Sequence, residues 1–174
     1  NPKKIKNNDI VFILSYTKIL NEKFLSANRL NLVIHSSDLP KNRGFAPLTY
    51  QILKGQKKIV NTIFKPSSKA DRGDFYYKNY FINDGTELYE ELRKKQALSI
   101  IKLIKKFLSK YPKVKPIKQK GKGTFNKRRT PKDSELNIKK SLKSQFNLLR
   151  TCDNEKFPAF FVYKKKKYFL KIFK

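Results

Sequence analysis

Two apolar runs near the start of the chain predict strands that are buried on both faces. The runs cover residues 10–14 and 30–35, and neither alternates with polar positions as a half-buried strand does. Residues 21–28, between them, have the pattern of a short helix with Asn21 as its N-cap. A strand, a helix and a strand this close together predict a parallel pair joined by a right-handed crossover.

The pattern continues with two more strands and two more helices. Apolar positions predict strands over residues 58–65 and 75–82. A helix over residues 47–54 begins with proline, which suits the first helical turn. The longest predicted helix covers about residues 87–110, because its apolar positions recur at helical spacing and Pro112 follows its end.

The last third of the chain combines an irregular segment with regular ones. Residues 111–130 have no periodicity and are rich in lysine, glycine and proline, which indicates an exposed connection. A helix is predicted over residues 139–151. Residues 160–163 and 168–173 predict a β-hairpin with a lysine-rich turn over 164–167.

The composition limits the sites that the chain can build. Its 174 residues include one cysteine, Cys152, and one histidine, His35, which excludes an internal disulfide framework and metal sites made of several cysteines or histidines. No apolar run approaches the length that spans a bilayer, and no charged and apolar leader opens the chain. We therefore expect a protein of the reducing cytoplasm that does not enter a membrane.

The net charge of +29 suits a nucleic-acid partner, because lysine and arginine release counterions from phosphate backbones. However, the cations are mostly lysines and are spread along the whole chain, whereas base readout and bidentate phosphate binding favour arginine. A basic nucleic-acid-binding domain that uses residues 113–140 stays open as an alternative. The charge alone does not decide the function.

The candidate chemistry lies at the end of the second predicted strand. His35 ends this strand, and ligands of open parallel sheets bind beyond the carboxyl ends of the strands. An imidazole near a carboxylate, such as Asp71 or Asp74, is suited to proton transfer near neutral pH. Taken alone, His35 fits a hydrogen-bonded core histidine better than a catalytic one, and the two aspartates fit turn residues.

The combination of these residues is more specific than any one of them. Residues 35–48 resemble the signature loop of the 10-formyltetrahydrofolate-dependent formyltransferases, in which Asn-x-His-x-Ser-Leu-Leu-Pro is followed by Gly and often Ala-Pro. The family's second hallmark is an Asp-x-Gly-Asp turn about three dozen residues later, and here Asp71 follows His35 by 36 residues. Three further segments are similar to family motifs and occur in the same order: residues 15–20, 129–134 and 157–160.

The resemblance implies an α/β fold with a Rossmann-like formyltransferase core, in which a mostly parallel sheet is flanked by helices and a β-hairpin ends the chain. Residues 1–111 would form the catalytic core. Residues 112–174 would add a connecting loop, a helix and the hairpin to the same domain. Family members carry an N-terminal βαβ lead before the strand at residues 10–14, so the core is expected to be truncated at its N-terminus.

The resemblance also implies transfer of a formyl group from 10-formyltetrahydrofolate to a primary amine, without a metal. His35 matches the family's catalytic histidine and Asp71 its catalytic aspartate, which would orient the ring or relay a proton through water. The positions that match the binding site for the formyl donor are Ser15, Tyr16, Ile19, Leu20, Arg43, Gly44, Gly73 and Asp74.

One position departs from the family pattern. Val33 stands where the family has an asparagine that helps to hold the formyl oxygen. Asn31 lies one strand repeat away, roughly 6–7 Å along the same face, so it cannot substitute. Ser36, Asn42 or backbone N–H groups would have to supply the missing donor, and a slower or inactive protein stays open.

Two acceptors are usual in the family, a nucleotide-linked amino sugar and methionyl-tRNA. Residues 36–44 are more similar to the short sugar-type relatives, and we expect no RNA-binding barrel domain after the hairpin. We therefore expect an amino sugar as the acceptor, with tRNA as the alternative partner. Because members of the family often dimerise, the resemblance leaves a homodimer open as the assembly. A degenerate, non-catalytic formyltransferase-like protein is the remaining alternative.

Overall fold

The computed structural model describes residues 5–18, 20–67 and 69–174. The strands are β1 Ile10–Leu14, β2 Leu30–His35, β3 Arg43–Gly44, β4 Lys58–Phe64, β5 Phe75–Ile82, β6 Phe125–Asn126, β7 Ala159–Tyr163 and β8 Lys166–Leu170. The helices are α1 Glu22–Ser26, α2 Pro47–Leu53, α3 Tyr89–Leu108 and α4 Leu142–Leu149, and a 3-10 turn covers Pro131–Ser134. No helix of the described residues is long and apolar enough to cross a membrane.

Four strands form the central sheet in the order β1-β2-β4-β5. The first two strands are parallel, as predicted, whereas β2 pairs antiparallel with β4 and β4 pairs antiparallel with β5. The Rossmann-like α/β class is confirmed, but the described sheet is mixed rather than mostly parallel. The loop between β4 and β5 has no crossover helix, which accounts for their antiparallel pairing. β2 and β4 pair antiparallel although α2 lies between them in the chain.

The strand boundaries follow the sequence pattern more closely than the helix boundaries. β1, β2 and β5 have the predicted bounds, while the helices end one to several residues early. Asn21 caps α1 as expected, because its side chain accepts a hydrogen bond from the main-chain N–H of Phe24. β1 is half-buried rather than buried on both faces, since it is the edge strand of the described sheet.

The main core lies between the sheet and α3. Leu32 and Ile63 from the sheet and Leu103 and Phe107 from the helix are fully buried in one cluster. The ring of Phe107 packs edge to face on Tyr76, with 5.1 Å between the ring centroids. This packing fixes α3 across one face of the sheet and positions the N-terminal half of the helix beside the end of β2.

The segment predicted as an exposed connection is partly structured. Its residues Phe125 and Asn126 form β6, which pairs parallel with Arg43 and Gly44 of β3. Ile117 forms an isolated bridge with Phe75, with N–O distances of 2.7 and 2.9 Å. The segment therefore crosses the loop that follows β2, although much of it is exposed.

The C-terminal residues form a smaller cluster. Leu136, Leu149, Cys152 and Ala159 are buried together. The hairpin turn contains two residues rather than the four predicted, because β7 and β8 both extend into the lysine run. Lys164 and Lys165 both have positive φ, of 44° and 63°, as a two-residue hairpin turn of type I′ requires.

Candidate functional site

A cleft of about 580 Å³ lies beyond the carboxyl ends of β1 and β2. The cleft is lined by the segment after β1, by the loop that follows β4 and by residues 44–49. A face of α3 also lines it, formed by Tyr89, Leu92, Arg93, Gln96 and Ile100. His35 and Ser36 lie at the base of the cleft, at the point where β2 ends.

His35 is nearly buried, with 8% of its surface exposed. Its Nε2 atom lies 2.9 Å from the main-chain carbonyl oxygen of Asn42 and 3.6 Å from Oδ2 of Asp71. The structure therefore brings together the two residues that match the family's catalytic pair. It also adds a direct hydrogen-bond partner, Asn42, that the sequence does not indicate for this role.

Asp71 is held by the loop after β2 and by Gln119 of the lysine-rich segment. Its Oδ2 accepts a hydrogen bond of 2.7 Å from the main-chain N–H of Gly44. Its carbonyl oxygen accepts hydrogen bonds from Arg43 Nε, at 3.1 Å, and from Gln119 Nε2, at 2.9 Å. Asp71 has a φ of 53°, in the left-handed region, so several contacts maintain a conformation that is uncommon for residues other than glycine.

Two glycines allow the backbones around Asp71 to approach closely. Gly44 has a φ of 89°, and a Cβ atom there would lie 2.6 Å from the carbonyl oxygen of Asn126. A Cβ atom on Gly73 would collide with the carbonyl oxygen of Lys65. Both positions therefore require glycine for steric reasons.

The structure separates the eight positions matched to the donor site into three groups. Ser15, Tyr16, Leu20 and Gly44 line the cleft. Arg43, Gly73 and Asp74 lie outside its wall and belong to the packing around the Asp71 loop. Ile19 lies outside the described residues.

Val33 provides no side-chain hydrogen-bond donor for the formyl oxygen that the predicted chemistry requires. Its apolar side chain lines the cleft, where the family has an asparagine. Asn31 is used elsewhere, since its Nδ2 donates to the carbonyl oxygen of Leu25 at 2.8 Å. The hydroxyl of Ser36 donates to Asn61 Oδ1 at 2.7 Å, so it has no proton left for a ligand. Asn42 is buried and does not line the cleft. Backbone N–H groups therefore remain from the set of replacements that the sequence suggests.

Several residues of the site carry no clear sequence signal. Gln96 on α3 donates to the hydroxyl of Ser36 and accepts from Arg93 Nη1 at 2.6 Å. Helical spacing places residues 89, 92, 93, 96 and 100 on one face, so periodicity could have found this wall. By contrast, Gln119 and Thr124 lie in the irregular lysine-rich segment, where no pattern distinguishes them.

The two remaining family-like segments lie away from the cleft and next to each other in the chain's C-terminal part. Thr130 donates to Oδ2 of Asp133 from its main-chain N–H, at 2.6 Å, and from its hydroxyl, at 2.9 Å. These hydrogen bonds lower the pKa of Asp133 and close the 3-10 turn. Leu136, just beyond this turn, donates to the carbonyl oxygen of Phe160 at 2.6 Å.

The family model described as "Formyl transferase" matches residues 3–104 of the chain. Methionyl-tRNA formyltransferase from Rickettsia massiliae (strain Mtu5) is 33% identical over 133 residues, which are 75% of this chain and 44% of that protein. The enzyme of the same name from Rickettsia prowazekii (strain Madrid E) is 33% identical over 131 residues, or 74% of this chain and 43% of that protein. The chain thus spans less than half the length of these relatives.

Solved structures share the fold. The methionyl-tRNA formyltransferase from Clostridium thermocellum has a TM-score of 0.74 at 28% identity, covering 90% of this chain and 68% of that one. A 4-N formyltransferase from Francisella tularensis has a TM-score of 0.77 at 20% identity, covering 94% of this chain and 70% of that one. At this lower identity, the second likeness concerns the fold alone.

Proposed function

Because the chain belongs to the formyl transferase family, we propose that it transfers a formyl group from 10-formyltetrahydrofolate to a primary amine. One observation carries this proposal. His35, the only histidine of the chain, lies at the base of a cleft with Asp71 3.6 Å from its Nε2 atom. These are the two residues that match the family's catalytic histidine and aspartate.

The cleft fits a folate-type formyl donor. Its volume of about 580 Å³ lies within the range of small-molecule sites, roughly 300–1,000 Å³. Leu14 and Val33 provide apolar surface for a flat ring system, and Ser15 and Tyr16 add polar groups at the wall. We propose that these residues, with Leu20 and Gly44, hold the donor.

The proposed roles follow from the positions of the two ionisable groups. As the amine attacks, a bond forms between its nitrogen and the formyl carbon, and the bond from that carbon to N10 of the folate breaks. The proton that the amine loses ends on N10, and His35 carries it between the two nitrogens. Asp71 stabilises the positive charge on the ring while the proton resides there.

For the acceptor we propose a nucleotide-linked amino sugar. The sequence of residues 36–44 supports this class, and so does the charge of the cleft. Lys18, Lys69 and Arg93 line it, and Asp71 is the only carboxylate among the described lining residues. Such a rim complements the diphosphate of a nucleotide-linked sugar.

Methionyl-tRNA is the second candidate acceptor. It is favoured by the 33% identity to methionyl-tRNA formyltransferases and by the net charge of +29, which suits a phosphate backbone. The proposed chemistry at His35 is the same for both acceptors. The difference lies only in the partner that brings the amine.

The test mixes the purified protein with 10-formyltetrahydrofolate and, separately, nucleotide-linked amino sugars or methionyl-tRNA, while release of tetrahydrofolate is followed. Turnover with a sugar that falls in His35→Asn supports the proposal, and turnover with tRNA alone selects the second candidate. Folate binding without turnover would identify a non-catalytic relative. Nucleic-acid binding with a steep salt dependence, and without folate binding, would contradict both acceptors.

A further inference from the structure

We infer that the main-chain carbonyl of Asn42 fixes the tautomer of His35, that Thr124 and Lys54 are positioning residues for this carbonyl, and that Nδ1 is the ring nitrogen left for a ligand. The role of Nδ1 in proton transfer rests on the proposed function. The hydrogen bond and its supports do not depend on it.

The first step concerns the location of the ring proton. A carbonyl oxygen can only accept a hydrogen bond, so Nε2 must carry a proton to make its 2.9 Å contact with Asn42. Asp71 Oδ2, at 3.6 Å, is too far for a hydrogen bond and acts through its charge. In the neutral ring the lone pair is therefore on Nδ1, which makes no hydrogen bond among the described residues.

The second step concerns how Asn42 is held. Its φ is 54°, in the left-handed region, and only 3% of its surface is exposed. Its main-chain N–H donates to Oγ1 of Thr124 at 2.8 Å, and its side-chain Oδ1 accepts from Nζ of Lys54 at 2.6 Å. A buried residue that is bonded through its amide and its side chain has little freedom to rotate its carbonyl away from His35.

The third step concerns the segment that supplies Thr124. The main chain of Thr124 accepts from Arg43 N–H at 2.9 Å and donates to the Pro40 carbonyl at 3.2 Å. Two residues further on, the carbonyl of Asn126 accepts from Phe45 N–H at 3.2 Å. Residues 124–126 thus form hydrogen bonds with the chain before and after Asn42. The irregular segment of residues 111–130 therefore helps to hold the carbonyl group that contacts His35.

The consequence is a division of roles between Asn42 and Asp71. Asn42 sets the ring orientation and keeps the proton on Nε2, so a proton taken up from an amine arrives on Nδ1 at the cleft. The carboxylate of Asp71 then stabilises the doubly protonated ring from the opposite nitrogen. In this arrangement the neutral carbonyl of Asn42 orients the imidazole, and the carboxylate of Asp71 lies next to the ring when the ring is positively charged.

The experiment observes the Nε2 proton by NMR in the free protein, where His35 gives the only imidazole signals. In Thr124→Val, which removes the acceptor for Asn42 N–H, exchange of this proton with water is expected to be about tenfold faster, as loss of one hydrogen bond predicts. Thr124→Ser, which retains the hydroxyl, restores slow exchange. Thr130→Val is the matched control, because its hydroxyl contacts Asp133 instead of Asn42, and its exchange stays slow.

Two further variants distinguish the carbonyl from the carboxylate. Asn42→Gly tolerates the positive φ but loses the hydrogen bond to Lys54, so the Nε2 proton of His35 is expected to exchange faster with water. In Asp71→Asn the Nε2 proton is expected to stay protected from exchange. A wild-type ring protonated on Nδ1, unchanged exchange in folded Thr124→Val, or loss of protection in Asp71→Asn would overturn the inference. The NMR sample contains neither folate nor amine, so this experiment does not depend on the proposed function. If the Nε2 proton is protected but the separate turnover assay shows no reaction, only the proposed function is contradicted.

Discussion

The main-chain N–H of Gly44 donates a 2.7 Å hydrogen bond to Oδ2 of Asp71. This bond joins the two segments that most resemble the family motifs, the loop after β2 and the turn before β5. It holds the carboxylate 3.6 Å from Nε2 of His35. Any change that displaces the Gly44 backbone is therefore expected to displace the charge next to the imidazole.

Substitution of Gly44 tests this relationship. Gly44→Ala is expected to lower the free energy of unfolding by about 2–4 kcal/mol, because strain at positive φ adds to a clash with the Asn126 carbonyl. Turnover should fall as well. Gly121→Ala is the matched control, since Gly121 has a φ of 92° but no atoms within 4 Å of its Cβ position. Equal destabilisation of the two variants in denaturant titrations would show that the clash is absent.

Removal of the imidazole tests the proposed chemistry. His35→Asn is expected to lower kcat by about 10²–10⁴-fold, the usual contribution of a positioned acid–base group, while the KM for the formyl donor changes little. Steady-state kinetics measure both constants. Asp9→Asn is the control, because Asp9 is an exposed carboxylate whose ion pair among the described residues is with the exposed Arg29. A kcat that is unchanged in folded His35→Asn would exclude proton transfer by this residue.

Restoration of the family asparagine at position 33 tests how far Val33 lowers kcat. In Val33→Asn an amide reaches the cleft wall, where it can donate to the formyl oxygen as charge develops there. One such donor is worth about 10²–10³ in kcat elsewhere, so kcat should rise by about this factor. Val33→Leu, which changes the shape of the wall without adding a donor, should give no increase. A lower kcat in Val33→Asn, with the donor still bound, would indicate that a backbone N–H already fills this role.

The sequence was sufficient for the parts of the fold that depend on local pattern. Continuous apolar runs located β1 and β2, and helical spacing located α3. These elements were predictable because their burial determines which positions within one short segment are apolar. The resemblance then paired His35 with Asp71, which the geometry brings within 3.6 Å. The edge position of β1 and the antiparallel pairing of β2 with β4 were not predictable in this way, because both depend on which distant strands pair.

The supports of the site were not predictable for a related reason. Thr124 and Asn42 are bonded across 82 positions of the chain, and Gln119 reaches the Asp71 carbonyl across 48. Single hydrogen bonds between irregular segments leave no periodic trace in a sequence. The same holds for Arg150, whose side chain is 1% exposed although its residue type usually lies on the surface.

The buried ion pair around Arg150 leads to a prediction about acid stability. Burial by itself would raise the pKa of Glu87, but hydrogen bonds from Lys95 Nζ and from the main-chain N–H groups of Asp84 and Gly85 outweigh it and lower this pKa to about 2 from an ordinary value of 4.5. Arg150 Nη1 lies 3.6 Å from the same carboxylate and donates to the carbonyl oxygen of Glu87 at 3.0 Å. The ionised carboxylate thus joins α4 to the start of α3.

Because the pKa of Glu87 is lower in the folded state, its contribution to stability is complete above about pH 4.5 and is lost as the pH falls towards about 2. The difference between the two pKa values corresponds to about 3 kcal/mol. Glu87→Gln should therefore lower the free energy of unfolding by about this amount at pH 7 and by little at pH 2, as urea titrations at several pH values would measure. Glu155→Gln, which removes an exposed pair with Lys171, should cost less than about 1 kcal/mol. If both variants lost the same stability at pH 7, the buried pair would contribute no more than an exposed one.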